Sequence, residues 1–168
     1  MIDTIKIPEE RTAVLIGKKG SVKRHIFKKY GVKLTIKGSE VKLEGEPFNI
    51  YIVKKIVKAI GRGFSPEKAY LLGRDDYQLE VLEIKDYVHT KNALIRLRGR
   101  VIGREGTAKE KIEKLTHSYI SVYGKTVAII GDINYIHIAV EAIDMLLRGS
   151  KHGTVYRFIE NRIKHINR

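Results

Sequence analysis

Gly17-Lys18-Lys19-Gly20 returns as Gly103-Arg104-Glu105-Gly106, 86 residues further on. A lone GxxG says little, but here the match runs outward from the tetrad at the same offset and without a gap. Ile16 falls on Ile102, Ile26 on Ile112, Ile36 on Val122, Val41 on Val127 and Gly45 on Gly131. Ile50 falls on Ile136, Ile52 on Ile138, Arg62 on Arg148, Gly63 on Gly149 and Tyr70 on Tyr156. An apolar and glycine skeleton that holds register this far marks a duplicated unit.

Working outward from the tetrads gives the elements. Thr4-Ile5-Lys6-Ile7 alternates polar and apolar and predicts a strand, with Ala93 to Arg98 as its expected counterpart. A short helix from Glu9 to Ile16 runs into the first tetrad, and a second helix begins at Ser21, with Val22, Ile26 and Tyr30 on one face. Its equivalent begins at Thr107, where Thr107-Ala108-Lys109-Glu110 has the spacing of a capping box. Two strands on a tight turn follow, Val32 to Ile36 with Val41 to Leu43, and Tyr119 to Val122 with Val127 to Ile130. A third helix closes each unit, from about Pro47 to Ile60 and from about Ile133 to Leu147. The expected fold is α+β, with two β-α-α-β-β-α units, each a three-stranded sheet with three helices, packed on each other. The expected divisions are 1–63, a connector over 64–90, and 91–168 ending in a helix with the stripe Val155, Ile159, Ile163 and Ile166. Thr154 is its expected cap, and Arg157, Arg162, Lys164 and Arg168 lie off the stripe.

This order, with GxxG between the first two helices, resembles the type I KH domain, here in tandem. Val14 to Gly20 and Arg100 to Gly106 are close to its signature. Single-stranded nucleic acid must bring its backbone against the protein main chain, and glycine permits the tight turn and removes a Cβ that would block the approach. The helix beginning at Ser21 or Thr107 points free N–H groups and a positive dipole end at the phosphates. About four nucleotides are clamped this way in KH domains.

The resemblance therefore implies RNA contacts at Gly17, Lys18, Lys19, Gly20, Ser21 and Arg24. In the second unit it implies Arg100, Gly103, Arg104, Glu105, Gly106, Thr107 and Lys109. Glu105 departs from the pattern, because a carboxylate cannot help with phosphate. By the same resemblance Val14, Ile16, Ile26 and Ile36 line the first groove, between the loop and the middle strand. Ile102, Ile112, Ile120 and Val122 line the second. Any core supplies the same residues, so the sequence leaves core and base contact open. With no Trp and 4 Phe, base recognition is expected to rely on aliphatic contacts and edge hydrogen bonds more than on stacking.

Charge agrees with a polyanionic partner. The chain holds 33 Lys+Arg against 19 Asp+Glu, a net charge of +14. Residues 1–63 hold 15 basic and 6 acidic, residues 64–90 hold 3 and 6, and residues 91–168 hold 15 and 7, so the excess follows the repeats. Cys is absent, which excludes disulfides, thiol catalysis and cysteine metal sites. The six histidines show no metal-ligand spacing, and no P-loop or GxGxxG occurs. No metal, cofactor or enzymatic activity is expected. Asp75-Asp76 reads as a turn rather than a nuclease carboxylate pair. No run is long enough to span a bilayer and the N-terminus lacks signal-peptide regions, so the expected location is the cytoplasm.

The connector narrows the resemblance. Ser65 starts a short helix with Pro66 at its first position, and Tyr77 to Ile84 alternates as a strand that could extend a repeat's sheet. Gly61 to Ala69, Leu71-Leu72, Asp75-Asp76-Tyr77 and Glu83-Ile84-Lys85-Asp86 resemble the Partner of NOB One (Dim two) family of small-subunit ribosome biogenesis factors. Arg98 to Gly103 and Leu147 to Ser150 resemble it too. The intact first tetrad is similar to the archaeal form. The resemblance implies binding near the 3′ end of small-subunit pre-rRNA. It also implies work beside a PIN-domain endonuclease and a link to the α subunit of initiation factor two. An exosome-like KH subunit and a general single-stranded nucleic-acid binder are the alternatives.

Overall fold

The computed structural model describes residues 1–167, and Arg168 lies outside the described residues. The chain divides into two compact units, Met1–Asp75 and Asp76–Arg168. Each carries a three-stranded antiparallel sheet.

In the first unit β1 (Ile2–Lys6) is followed by a 3₁₀ turn, α1 (Thr12–Ile16), the GxxG turn and α2 (Ser21–Tyr30). Gly31, left-handed at φ 67°, stops α2, and β2 (Lys33–Lys37) and β3 (Glu40–Glu44) follow. The sheet order is β1-β3-β2. The middle strand is therefore β3, and β2 is an edge, because β1 takes the other side of β3. Val41 and Leu43 alternate into the core. Helix α3 (Pro47–Gly61) has proline at its start, where no N–H is needed, and buries Ile50, Val53, Ile56, Val57 and Ile60 along one face. Helix α4 (Pro66–Ala69) is capped by Ser65, whose hydroxyl accepts from Lys68 N–H at 3.4 Å.

The second unit corrects the sequence reading at its first strand. Strand β4 (Tyr77–Glu83) pairs with β6 (Thr126–Asp132), which pairs on its other side with β5 (Ser118–Tyr123). The segment 93–98, expected as a strand, lies inside helix α5 (Lys91–Ile102). Leu97 and Val101 are buried and Leu94 packs against the same core, which is helical spacing, and Thr90 caps the helix by accepting from Ala93 N–H at 3.1 Å. The expected connector is thus shared out: its short helix belongs to the first unit and its strand is the first strand of the second.

Backbone bonds fix the true equivalence. Ile7 N–H donates to Ser39 O at 3.0 Å and Ile84 N–H to Lys125 O at 2.8 Å, so the repeat runs at an offset of 77 there and 86 elsewhere. The extra residues lie between β4 and the tetrad. They are pinned by Tyr87, whose hydroxyl donates to Asp144; burial first, then this bond, pushes the phenol up to about 12.

Helix α6 (Thr107–Thr116) follows the second tetrad, and α7 (Ile136–Leu147) supplies Ile138, Ile143 and Leu146 to a core shared with Ile112, Ile129 and Ile159. The last helix, α8 (His152–Ile166), buries Val155 and Ile159 against α6 and α7. Its N-cap is Lys151 rather than Thr154, whose hydroxyl instead accepts from Arg157 Nη2 at 3.4 Å. No helix among the described residues is long and apolar enough to cross a membrane.

Candidate nucleic-acid interface

The two tetrads fold alike. Gly17 sits at φ 78°, ψ 169°, Lys19 at 56°, 31° and Gly20 at 76°, 18°. Gly103, Glu105 and Gly106 sit at 77°, 173°, at 56°, 27° and at 78°, 8°. Each loop thus holds a non-glycine residue in the left-handed region, which costs about 1–2 kcal/mol and persists only where neighbours enforce it.

The glycines divide the work. A Cβ on Gly17 would stand 2.6 Å from Val22 N and Cγ2, and one on Gly103 would stand 2.6 Å from Ala108 Cβ. The first glycine of each loop is therefore required by the helix that follows, not by a ligand. A Cβ on Gly20 would meet only Arg24 Nη1, at 3.2 Å, and one on Gly106 only Glu110 Oε1, at 3.9 Å. The second glycine of each loop is the one that leaves the surface open.

Helices α2 and α6 each start behind a left-handed glycine with no side-chain cap. The expected capping box at Thr107 does not form: Thr107 is already helical, and its hydroxyl donates to Arg104 O at 2.7 Å. Anionic ligands are favoured at such uncapped ends.

Lys18, Lys19, Ser21, Arg24, Arg104, Glu105 and Thr107 are exposed. The apolar expectations separate by burial. Val14, Ile36, Ile102 and Val122 are half-buried and Ile16 is 36% exposed, so they reach the surface; Ile26, Ile112 and Ile120 belong to the core.

Three charged side chains have tasks within the protein. Arg24 donates through Nη1 to Lys19 O and braces the first loop. Lys109 lies 3.3 Å from Glu113 Oε1. Arg100, expected on RNA, donates through Nε to Leu146 O at 3.2 Å and through Nη2 to Ser150 O. In the first unit Arg11 does the same to Ile60 O at 2.8 Å and Phe64 O at 2.9 Å, the carbonyls equivalent at offset 86. The two arginines are not equivalent in sequence, so the repeat alone did not reveal the clamp.

A groove of about 590 Å³ runs along α2 beside the start of β2, from Ser21 past Lys23, Arg24 and Phe27 to Lys33 and Leu34. His25 on its wall stacks on Tyr70 with ring centres 4.3 Å apart, and burial raises the Tyr70 phenol above its ordinary value. Phe27, 58% exposed, offers an aromatic face that the sequence reading passed over; an apolar residue off the buried Val22 and Ile26 stripe was its signal. Asp75 and Asp76 lie in a turn, where Asp76 O accepts from Ile133 N–H at 2.8 Å. Among the described residues no group of three or more His, Asp or Glu could hold a metal ion.

Residues 78–164 match the eukaryotic type KH domain (KH-domain type I), and residues 2–59 match the KH domain. The chain is 47% identical to the KH domain-containing protein MJ0443 of Methanocaldococcus jannaschii, over 99% of this chain and 76% of that protein. It is 38% identical to the pre-rRNA-processing protein PNO1 of Debaryomyces hansenii, over 64% of this chain and 44% of that longer protein. A chain in the crystal structure of the a/eIF2alpha–aDim2p–rRNA complex from Pyrococcus horikoshii superposes with a TM-score of 0.91 at 45% identity, over 98% of this chain and 95% of that one.

Proposed function

We propose, on the premise that the chain belongs to the Dim2/PNO1 family of tandem KH-domain proteins, that it binds single-stranded RNA from the 3′ region of small-subunit pre-rRNA and assists its 3′-end maturation. The observation that carries this reading is the pair of GxxG turns with one backbone geometry, each opening an uncapped helix on a basic chain. Backbone N–H groups and the helix ends would hold phosphates, and the half-buried aliphatic residues beside them would meet bases.

The first unit is the more basic, with 17 basic against 8 acidic residues over 1–75 and 16 against 11 over 76–168. It therefore supplies more of the salt-sensitive affinity. The proposed role is to hold and present RNA, with cleavage left to a partner such as a PIN-domain endonuclease. The α subunit of initiation factor two is a second proposed partner, because the Pyrococcus relative is seen with a/eIF2alpha and rRNA.

Fluorescence anisotropy with the 3′-terminal small-subunit rRNA oligonucleotide against a scrambled one tests this. Wild type is compared with Lys18→Asp/Lys19→Asp and with Arg104→Asp/Glu105→Asp. Preferential binding that falls at least about tenfold in either variant supports the reading. Equal, weak binding of both RNAs by all three proteins overturns it.

A further inference from the structure

The groove along α2 and the equivalent face of the second unit differ at several positions, among them Arg24, which corresponds to Glu110, and His25, which corresponds to Lys111. At offset 86 Phe27 corresponds to Glu113, Lys23 to Lys109, Lys33 to Tyr119 and Leu34 to Ile120. The residues of this set in the first unit line the groove along α2. In the second unit Glu113 Oε2 accepts from Ile120 N–H at 2.7 Å, and Oε1 lies 3.3 Å from Lys109 Nζ. Strand β5 is an edge of its sheet, so this carboxylate takes up a main-chain donor at the place where a base edge would come to read the strand. Phe27 has no oxygen to offer there.

We propose that Glu113 is a base-reading residue of the second groove and selects guanine. This rests on the RNA-binding reading above. The carboxylate is held from two sides, and its side chain keeps 16% of its exposure. Four lone-pair sites serve two oxygens, so acceptor capacity remains after both contacts. Guanine is the base whose Watson–Crick edge sets two donors, N1–H and N2–H₂, side by side. Adenine and cytosine pair one amino group with an acceptor, which the carboxylate repels. Lys109 offsets the negative charge locally. Glu113 also stands seven residues along α6 from Gly106, about 10 Å by helical rise, clear of the phosphates at the loop. The first groove, with Phe27 at the same place, offers a ring face that accepts any base.

The test uses uridine octamers carrying a single central guanosine, inosine, adenosine or cytidine, bound to the full chain in the Lys18→Asp/Lys19→Asp background so that the second groove is read. The expected result is a preference of about tenfold for guanosine over adenosine, with inosine between, reduced to about twofold or less by Glu113→Gln. Gln keeps an oxygen for Ile120 N–H, and an unchanged melting temperature shows that the unit is intact. Binding with the same base ranking in both proteins overturns the assignment to Glu113 and leaves RNA binding standing. No binding by the wild-type chain overturns the RNA-binding reading and this one with it.

Discussion

Gly17 and Gly20 look interchangeable in the motif, but their surroundings separate them. Gly17 occupies a conformation with positive φ and extended ψ that is almost confined to glycine, and its missing Cβ makes room for Val22. Gly20 needs only left-handed backbone. Gly17→Ala is expected to cost about 3 kcal/mol or more, and Gly20→Ala about 1–2 kcal/mol, in urea unfolding of the first unit. Equal losses would mean that the loop relaxes around an added Cβ. The tetrads were the most legible residues in the sequence, because their spacing is local. The division of labour between the glycines was not, since it depends on which atoms of the following helix turn back toward the loop.

At the scale of elements, helices α2, α3 and α7 and the paired strands were legible from apolar period and turn residues. Strand β4 was read as a strand but not placed in the second unit, because pairing with β6 is a contact between distant residues that period does not encode. The 93–98 segment was misread because a short alternating run outweighed the longer spacing of Leu94, Leu97 and Val101, with Thr90 as the cap that marked it. The same long-range blindness hid the task of Arg100. Its two bonds to carbonyls at the end of α7 predict that Arg100→Ala destabilises the second unit by about 2 kcal/mol. Oligonucleotide affinity measured well below the melting temperature should stay within about twofold. A large loss of affinity with an unchanged melting curve would return Arg100 to the RNA contacts.

At the scale of the whole molecule, the division at Asp75–Asp76 predicts where the chain can be cut. A fragment 76–168 keeps β4, β5 and β6 and is expected to unfold cooperatively in a thermal melt. A fragment 91–168, drawn where the sequence first suggested, bares one side of β6 and is expected to show no cooperative transition or to aggregate. A sharp melt from the shorter fragment would show that β4 is dispensable. The placement of β4 also has a consequence in time. During synthesis β4 is complete at Glu83, while Thr126, its nearest partner residue on β6, is added 43 residues later. At about 5–20 residues per second the strand waits roughly 2–9 s beside the ribosome without its sheet. Glu80 and Glu83 on that strand are well suited to the wait, because their charge discourages pairing with a neighbouring nascent chain until β6 arrives.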